Sequence, residues 1–247
     1  LTKRLSGRIA FDDVTFRYDA STEEPTLSHM SFHVPAGKTA ALIGATGAGK
    51  TTVMQLIARF YDVDEGRVMI DDRNIETIAR QDLRAQMAFV LQEPFLFEGT
   101  IRDNIRYGRL DATDADIEQA AKQANAHDFI MKLAGGYDHI LTEDGGDISQ
   151  GQKQLLSIAR ALVADPAILL LDEATSSIDT VTEMAIQEAL DRLMQGRTSI
   201  VIAHRLNTVK NADYIFVLEQ GRLIEGGLRE ELLATKGRYY NMVIQGK

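Results

Sequence analysis

Eight residues limit what this chain can fold into more than any other feature. Gly44-Ala45-Thr46-Gly47-Ala48-Gly49-Lys50-Thr51 fits the pattern G-x-x-x-x-G-K-[ST]. The apolar run Ala40-Ala41-Leu42-Ile43 leads into it and reads as a strand buried on both faces. After it, Val53, Met54, Leu56, Ile57 and Phe60 recur at helical spacing, which predicts a helix starting near Lys50. In such a strand–loop–helix unit, Gly44, Gly47 and Gly49 let the backbone wrap an anion with its N–H groups inward. The helix adds free N–H groups and the positive end of its dipole. Lys50 then reaches the β- and γ-phosphates of a nucleotide, and the Thr51 hydroxyl ligates Mg²⁺.

The rest of the chain supplies a setting for this loop. Ile9, Phe11, Val14 and Phe16 alternate in two registers, and the slip at Asp12-Asp13 predicts a bulge. Met30, Phe32 and Val34 alternate cleanly up to the turn Pro35-Ala36-Gly37. Helices are predicted over 117–126, 126–133, 149–163 and 182–194, and strands over 168–171, 198–203 and 214–218, the last turning at Gln220-Gly221. Strand–helix–strand alternation calls for a parallel sheet with right-handed crossovers. The expected division is a core of residues 1–72 and 165–247 with a helical lobe, 73–164, inserted where strand periodicity is weakest.

Composition removes several classes of function. Lys and Arg number 27 against 36 Asp and Glu, so a chain of net charge −9 lacks the global electrostatic footprint of a nucleic-acid binder. With no cysteine, disulfides, thiolate zinc sites and Cys nucleophiles are ruled out. No apolar run approaches the roughly 20 residues that span a bilayer. The first residues carry no apolar signal-peptide core, and the missing initial Met leads us to expect a piece or processed product of something longer.

Two further sites stand out. Ile168-Leu169-Leu170-Leu171 ends in Asp172-Glu173, which puts two acids at the carboxyl edge of the sheet, where α/β ligand sites form. Similarity to P-loop NTPases, where an acid at this point holds Mg²⁺ through its water shell, implies that role for Asp172, and Glu173, one residue on, would be close enough to act on a water beside a γ-phosphate. Ser149 and Gln152 have the spacing of a capping box, with Gly151 leaving the N-terminal amides of the next helix open to an anion.

With these motifs in order, the chain resembles the nucleotide-binding domain of ATP-binding-cassette transporters of the exporter type, over nearly its whole length. Tyr18 is similar to the aromatic residue that stacks on adenine, and Gly44–Thr51 to the Walker A loop. Gln92, in Val90-Leu91-Gln92-Glu93-Pro94, resembles the Q-loop glutamine, and Phe95-Leu96-Phe97-Glu98-Gly99-Thr100-Ile101 is similar to exporters. Ile148-Ser149-Gln150-Gly151-Gln152 stands where the family has L-S-G-G-Q. Asp172 and Glu173 resemble Walker B and the catalytic glutamate, Ser176-Ser177-Ile178-Asp179 the D-loop, and His204 the switch histidine.

The resemblance implies an α/β fold of the P-loop NTPase type, with a mainly parallel core sheet, an antiparallel β subdomain and an inserted α-helical subdomain. It implies an ATPase whose cofactors are ATP and Mg²⁺. Lys50, Glu173 and His204 would be catalytic. Tyr18, Gly44, Thr46, Gly47, Ala48, Gly49, Lys50, Thr51, Thr52, Gln92 and Asp179 would bind nucleotide, and Ser149, Gly151 and Gln152 would serve the ATP of a second domain. Thr51, Gln92 and Asp172 would surround the metal. The implied partners are a second nucleotide-binding domain, closed head to tail, and the transmembrane domains of an exporter. The implied location is the cytoplasmic face of a membrane.

Two departures bear on the pairing. Gln150 replaces the first signature glycine, and Thr142-Glu143-Asp144-Gly145 precedes Ser149 by fewer residues than the usual exporter linker. An intact Glu173 and His204 beside an altered signature read as one half of an asymmetric pair. A homodimer that tolerates Gln150 is the competing reading. A soluble cassette ATPase would call for a coiled-coil insertion or a second cassette, and a small-molecule kinase would leave Ser149–Gln152 and His204 without a role.

Overall fold

The computed structural model describes residues 4–19, 21–22, 24–142, 146–172, 178–203 and 206–245. Glu173, Ser176, Ser177 and His204 therefore lie outside the described residues, as does part of the short linker, residues 143–145. In chain order the elements begin β1 (Ile9–Phe16), β2 (Leu27–Val34), β3 (Thr39–Ile43), α1 (Lys50–Ile57), β4 (Glu65–Ile70), β5 (Arg73–Asn74) and α2 (Arg80–Arg84). There follow β6 (Met87–Val90), β7 (Gly99–Thr100), α3 (Ile101–Arg106), α4 (Asp114–Gln123), α5 (His127–Lys132), β8 (Ile140–Leu141) and α6 (Gln150–Ala164). The chain continues through β9 (Ile168–Asp172), α7 (Thr180–Met194), β10 (Thr198–Ile202), α8 (Leu206–Asn211), β11 (Tyr214–Glu219), β12 (Arg222–Leu228), α9 (Arg229–Thr235) and α10 (Arg238–Gln245).

These elements form two compact units. The first comprises Leu1–Met87, Ala167–Glu173 and Gly196–Lys247. Within it one sheet runs β12-β11-β3-β10-β9 and a second runs β2-β1-β4-β5. In the larger sheet β3 is parallel to both β10 and β11, and β10 is parallel to β9, while β12 turns back antiparallel through Gln220 and Gly221. The smaller sheet is antiparallel throughout, and the slip in β1 is a bulge between Phe11 and Val14, with Asp13 at a φ of 52°. Burial explains the two patterns. β3, β9 and β10 are buried along nearly their whole length, as continuous apolar runs require, whereas β2 alternates. Phe32 of β2 bridges the layers, stacking on Phe11 and meeting Phe216 of β11, each at 4.6 Å between ring centres.

The second unit comprises Ala88–Pro166 and Ala174–Gln195. Its centre is α6, against which α3, α4 and α7 pack. Leu155, Leu156, Ile158, Ala159 and Val163 are buried along it. A fully buried Leu or Ile contributes about 1.5–3 kcal/mol, so this one helix supplies much of the unit's core.

The units divide the chain differently from the expected 73–164 lobe. Residues 73–87 fall with the first unit, because β5 pairs with β4 and the Arg84 guanidinium donates to the Ala58 and Arg59 carbonyls. The α7 segment, expected in the core, belongs to the second unit because it packs on α6.

Candidate functional site

The phosphate-type loop leaves β3 at the carboxyl edge of the larger sheet. Ile202 of β10 stands level with both Leu42 of β3 and Asp172 of β9, so Asp172 leaves the same edge two strands away. Two glycines shape the loop. Gly44 has a φ of 151°, and a Cβ there would lie 2.2 Å from the Leu218 carbonyl oxygen. Gly49, the N-cap of α1, is left-handed at φ 101°, and its Cβ would lie 2.5 Å from Leu27 Cδ2. Any other residue at either position is strained by both backbone and neighbours. Because the N-cap is glycine, α1 has no side-chain cap. Its first-turn amides have no acceptor within the helix and point toward the loop mouth.

Lys50 is buried, and its Nζ donates to the carbonyls of Gly44 at 2.7 Å and Ala45 at 2.9 Å. Burial pushes its pKa below the ordinary lysine range, while the charge of Asp172 pulls it back up. Thr46, Gly47 and Thr51 are exposed, Ala48 is buried, and an opening of about 800 Å³ is lined by Gly44–Ala48 together with Val217, Gln220 and residues of α10. Thr52 is buried, and its hydroxyl lies 2.9 Å from the Tyr18 hydroxyl, which also donates to Gln55 Oε1 at 2.5 Å. The Tyr18 ring is half exposed and stands edge-on to Phe16 and Tyr61. Thus Tyr18, Gly44, Thr46, Gly47, Ala48, Gly49, Lys50, Thr51, Thr52 and Asp172 all belong to the first unit.

Gln92, Ser149, Gly151, Gln152 and Asp179 belong to the second unit. The expected capping box is present. Ser149 Oγ accepts from the Gln152 N–H at 3.2 Å, and Gln152 Oε1 accepts from the Ser149 N–H at 2.9 Å. Gly151 has a role that spacing alone did not suggest. It is buried, and a Cβ on it would lie 2.3 Å from Thr182 Cγ2 of α7. Asp179 caps α7, accepting from the Thr182 N–H at 3.0 Å, and these hydrogen bonds hold its carboxyl below the usual range. Gln150 and Gln92 are exposed.

Sequence reasoning missed Asn104 and Arg160. Asn104 is buried, donating to the Phe97 and Thr100 carbonyls and accepting from the Phe97 N–H. Arg160 donates to Asn104 and to the Phe95 carbonyl, and its guanidinium lies 5.4 Å from the Phe97 ring and 5.8 Å from the Tyr107 ring. Together they hold Phe95, Phe97 and Tyr107 at the surface, each more than a third exposed. The only sequence signal was a charged residue inside the apolar stretch of α6.

Residues 27–176 match the family described as ABC transporter. The chain belongs to the ABC transporter ATP-binding domains. It is 59% identical to the ABC transporter ATP-binding protein YfiC of Bacillus subtilis (strain 168), over 96% of this chain and 39% of that protein. It is 47% identical to an ATP-dependent lipid A-core flippase of Syntrophus aciditrophicus (strain SB), over 97% of this chain and 39% of that protein. The structure of a bacterial Atm1-family ABC exporter with ATP bound matches with a TM-score of 0.89 at 44% identity, over 97% of this chain and 42% of that one. The chain thus spans about two-fifths of the length of these relatives. ABC transporter ATP-binding domains bind ATP and are ATPases, and the α/β fold with a parallel-containing sheet, an antiparallel sheet and helices is theirs. Among the described residues, no helix is long and apolar enough to cross a membrane.

Proposed function

We propose that this domain is the ATP-hydrolysing motor of an exporter, sited on the cytoplasmic face of a membrane, and that it works as one half of an asymmetric pair. The observation that carries the motor reading is the uncapped start of α1 behind a loop whose own carbonyls hold the Lys50 ammonium. An arriving phosphate competes for that ammonium, and Lys50 exchanges two carbonyl acceptors for phosphate oxygens. The loop amides and the α1 dipole hold the rest of the anion. Thr51, Asp172 and Gln92 offer hard oxygen ligands that suit Mg²⁺, which neutralises phosphate charge when bound. Tyr18 stacks on adenine. Glu173 polarises the attacking water, and His204 hydrogen-bonds the γ-phosphate. Ser149, Gly151 and Gln152 meet the nucleotide of a second domain.

The exposed platform of Phe95, Phe97 and Tyr107 lies a few residues beyond Gln92 and suits contact with transmembrane domains. Arg160 lies against the Phe97 and Tyr107 rings and donates to the Phe95 carbonyl, and the Phe95 ring stands edge-on to Phe97, so the platform presents apolar area with reduced freedom left to lose.

Asymmetry rests on Gln150, whose side chain stands where the family has a glycine that lets backbone approach a phosphate. The homodimer has one observation in its favour, since Gln150 opens α6 as an ordinary helical residue that carries no strain. Glu173→Gln, which blocks hydrolysis, separates the two. Its mass in solution is measured with and without Mg-ATP. A monomer that binds ATP and dimerises once Gln150→Gly is added supports the asymmetric pair. A dimer formed by Glu173→Gln alone with ATP supports the homodimer.

A further inference from the structure

The segment that leads into the α6 N-terminus is tied down by a histidine that no motif accounts for. His139 ends a short 3₁₀ turn, Gly136–Asp138, and its own carbonyl accepts from the Ile101 N–H at the start of α3. Its ring is placed between two acceptors. Nδ1 lies 3.0 Å from the Ala134 carbonyl oxygen, and Nε2 lies 2.5 Å from Asp147 Oδ2. A carbonyl can only accept, so Nδ1 carries a hydrogen. An ionised carboxylate also only accepts, so Nε2 carries one as well. Both contacts are satisfied together by an imidazolium. The Thr142 hydroxyl donates to the second Asp147 oxygen at 3.3 Å, so the carboxylate is gripped from two directions. Asp147 stands two residues before Ser149, the N-cap of α6.

We propose that His139 is a positioning residue for the α6 N-terminus, acting in its charged form through Asp147 to fix where Ser149 and Gly151 meet the nucleotide of a second domain. The proposal rests on the reading of Ser149 and Gly151 given above. Less than a third of either side chain is exposed, so the pair is partly shielded from solvent screening. Among the described residues, Asp138, on the turn that His139 ends, pairs with Arg102 of α3 at 3.0 Å. Arg102 also pairs with Asp114 of α4.

The hydrogen bond to Asp147, followed by that to the Ala134 carbonyl, raises the His139 pKa, while His139 lowers that of Asp147. For a base whose pKa is raised on folding, the stabilisation is complete below the ordinary histidine value and fades as pH rises through the raised one. For Asp147 it is complete above the ordinary aspartate value and fades as pH falls through the lowered one. The imidazolium tie is therefore complete between the ordinary aspartate and histidine values and weakens as pH rises through the raised histidine value.

The test is the ATPase rate of the intact protein against ATP concentration, from about pH 6 to about pH 9. His139→Asn and Asp147→Asn are each expected to raise KM for ATP about tenfold near neutrality, with kcat changed less, and to flatten the alkaline limb of kcat/KM. His139→Arg, which keeps a charge and two donors at every pH, is expected to keep the neutral KM and lose the alkaline limb. Ser149→Ala serves as the reference. If it leaves KM unchanged, the reading of the α6 N-terminus is what has failed. If Ser149→Ala raises KM but both asparagine variants keep the parent KM and pH profile, His139 has no positioning role. Its role is likewise merely structural if the asparagine variants lose activity only in step with a lower melting temperature and His139→Arg does not restore the neutral KM.

Discussion

Two helices of this molecule begin beside glycine, and they begin in opposite ways. The N-cap of α1 is Gly49, left-handed and without a side-chain cap. The N-cap of α6 is Ser149, closed by a reciprocal capping box with Gln152. The first end leaves its amides to a ligand, and a buried lysine is held at its mouth by backbone carbonyls. The second satisfies the Ser149 and Gln152 amides through the box and leaves the Gln150 and Gly151 N–H groups of its first turn without a helical acceptor. With glycine at the N-cap, the open end forgoes only about 0.3 kcal/mol of helix stability, whereas a capped end stands ready-made. The difference is one of local hydrogen bonding, an open end in the first unit and a closed one in the second.

Substitutions can break that contrast at either end. Lys50→Met carries the largest expected effect, a loss of at least about 100-fold in ATP hydrolysis. It is not expected to lower the melting temperature, because burial already disfavours the Lys50 charge. With the folded pKa depressed, the protonated lysine opposes folding at neutral pH, and stability gains as pH rises through the folded value. A melting temperature that falls along with activity would make Lys50 a structural residue rather than a ligand group. Gly151→Ala comes next, with a loss of about 1–3 kcal/mol in denaturant unfolding from the collision with Thr182 Cγ2. Thr182→Ser removes that methyl group and is expected to restore most of the loss. No rescue would mean that Gly151 is needed for backbone approach and not for packing.

Smaller effects sharpen the comparison. Ser149→Ala removes the α6 cap and is expected to lower stability by about 1 kcal/mol, read from the same unfolding curves, besides its effect on KM. Tyr18→Phe keeps the ring and removes the hydrogen bonds to Thr52 and Gln55. Nucleotide affinity, measured by titration calorimetry, is expected to shift by less than about 1 kcal/mol, whereas Tyr18→Ala shifts it further. Equal losses for the two would move the role of Tyr18 from its face to its hydroxyl.

Much of this is legible in the chain alone. The apolar run 40–43, the loop after it and the helical spacing beyond place β3, the loop and α1, because a buried strand and an amphipathic helix each impose a local period. The bulge in β1 is visible as a change of register, and the capping box as a four-residue spacing. Partners far apart in the chain are not legible. Asn104 and Arg160 are separated by more than fifty residues, and nothing in either segment says that an arginine will lie against two surface rings. His139 is missed for a different reason, since its two acceptors lie within eight residues of it but in irregular backbone that no periodicity describes. Residues 73–87 and α7 each fall in the unit opposite to the one expected, because which unit a segment joins is decided by strand pairing and helix packing.

The sequence by itself determined the chemistry at the loop, since glycine, lysine and threonine at that spacing follow from what a phosphate demands of a backbone. It also determined the family, through motifs in a fixed order. Only the tertiary structure decided that Gly151 is required by Thr182 and that Tyr18 is tied to Thr52. Those are contacts between segments brought together by the burial of apolar surface. Burial is a property of the whole chain, and no short stretch carries a record of what it will meet.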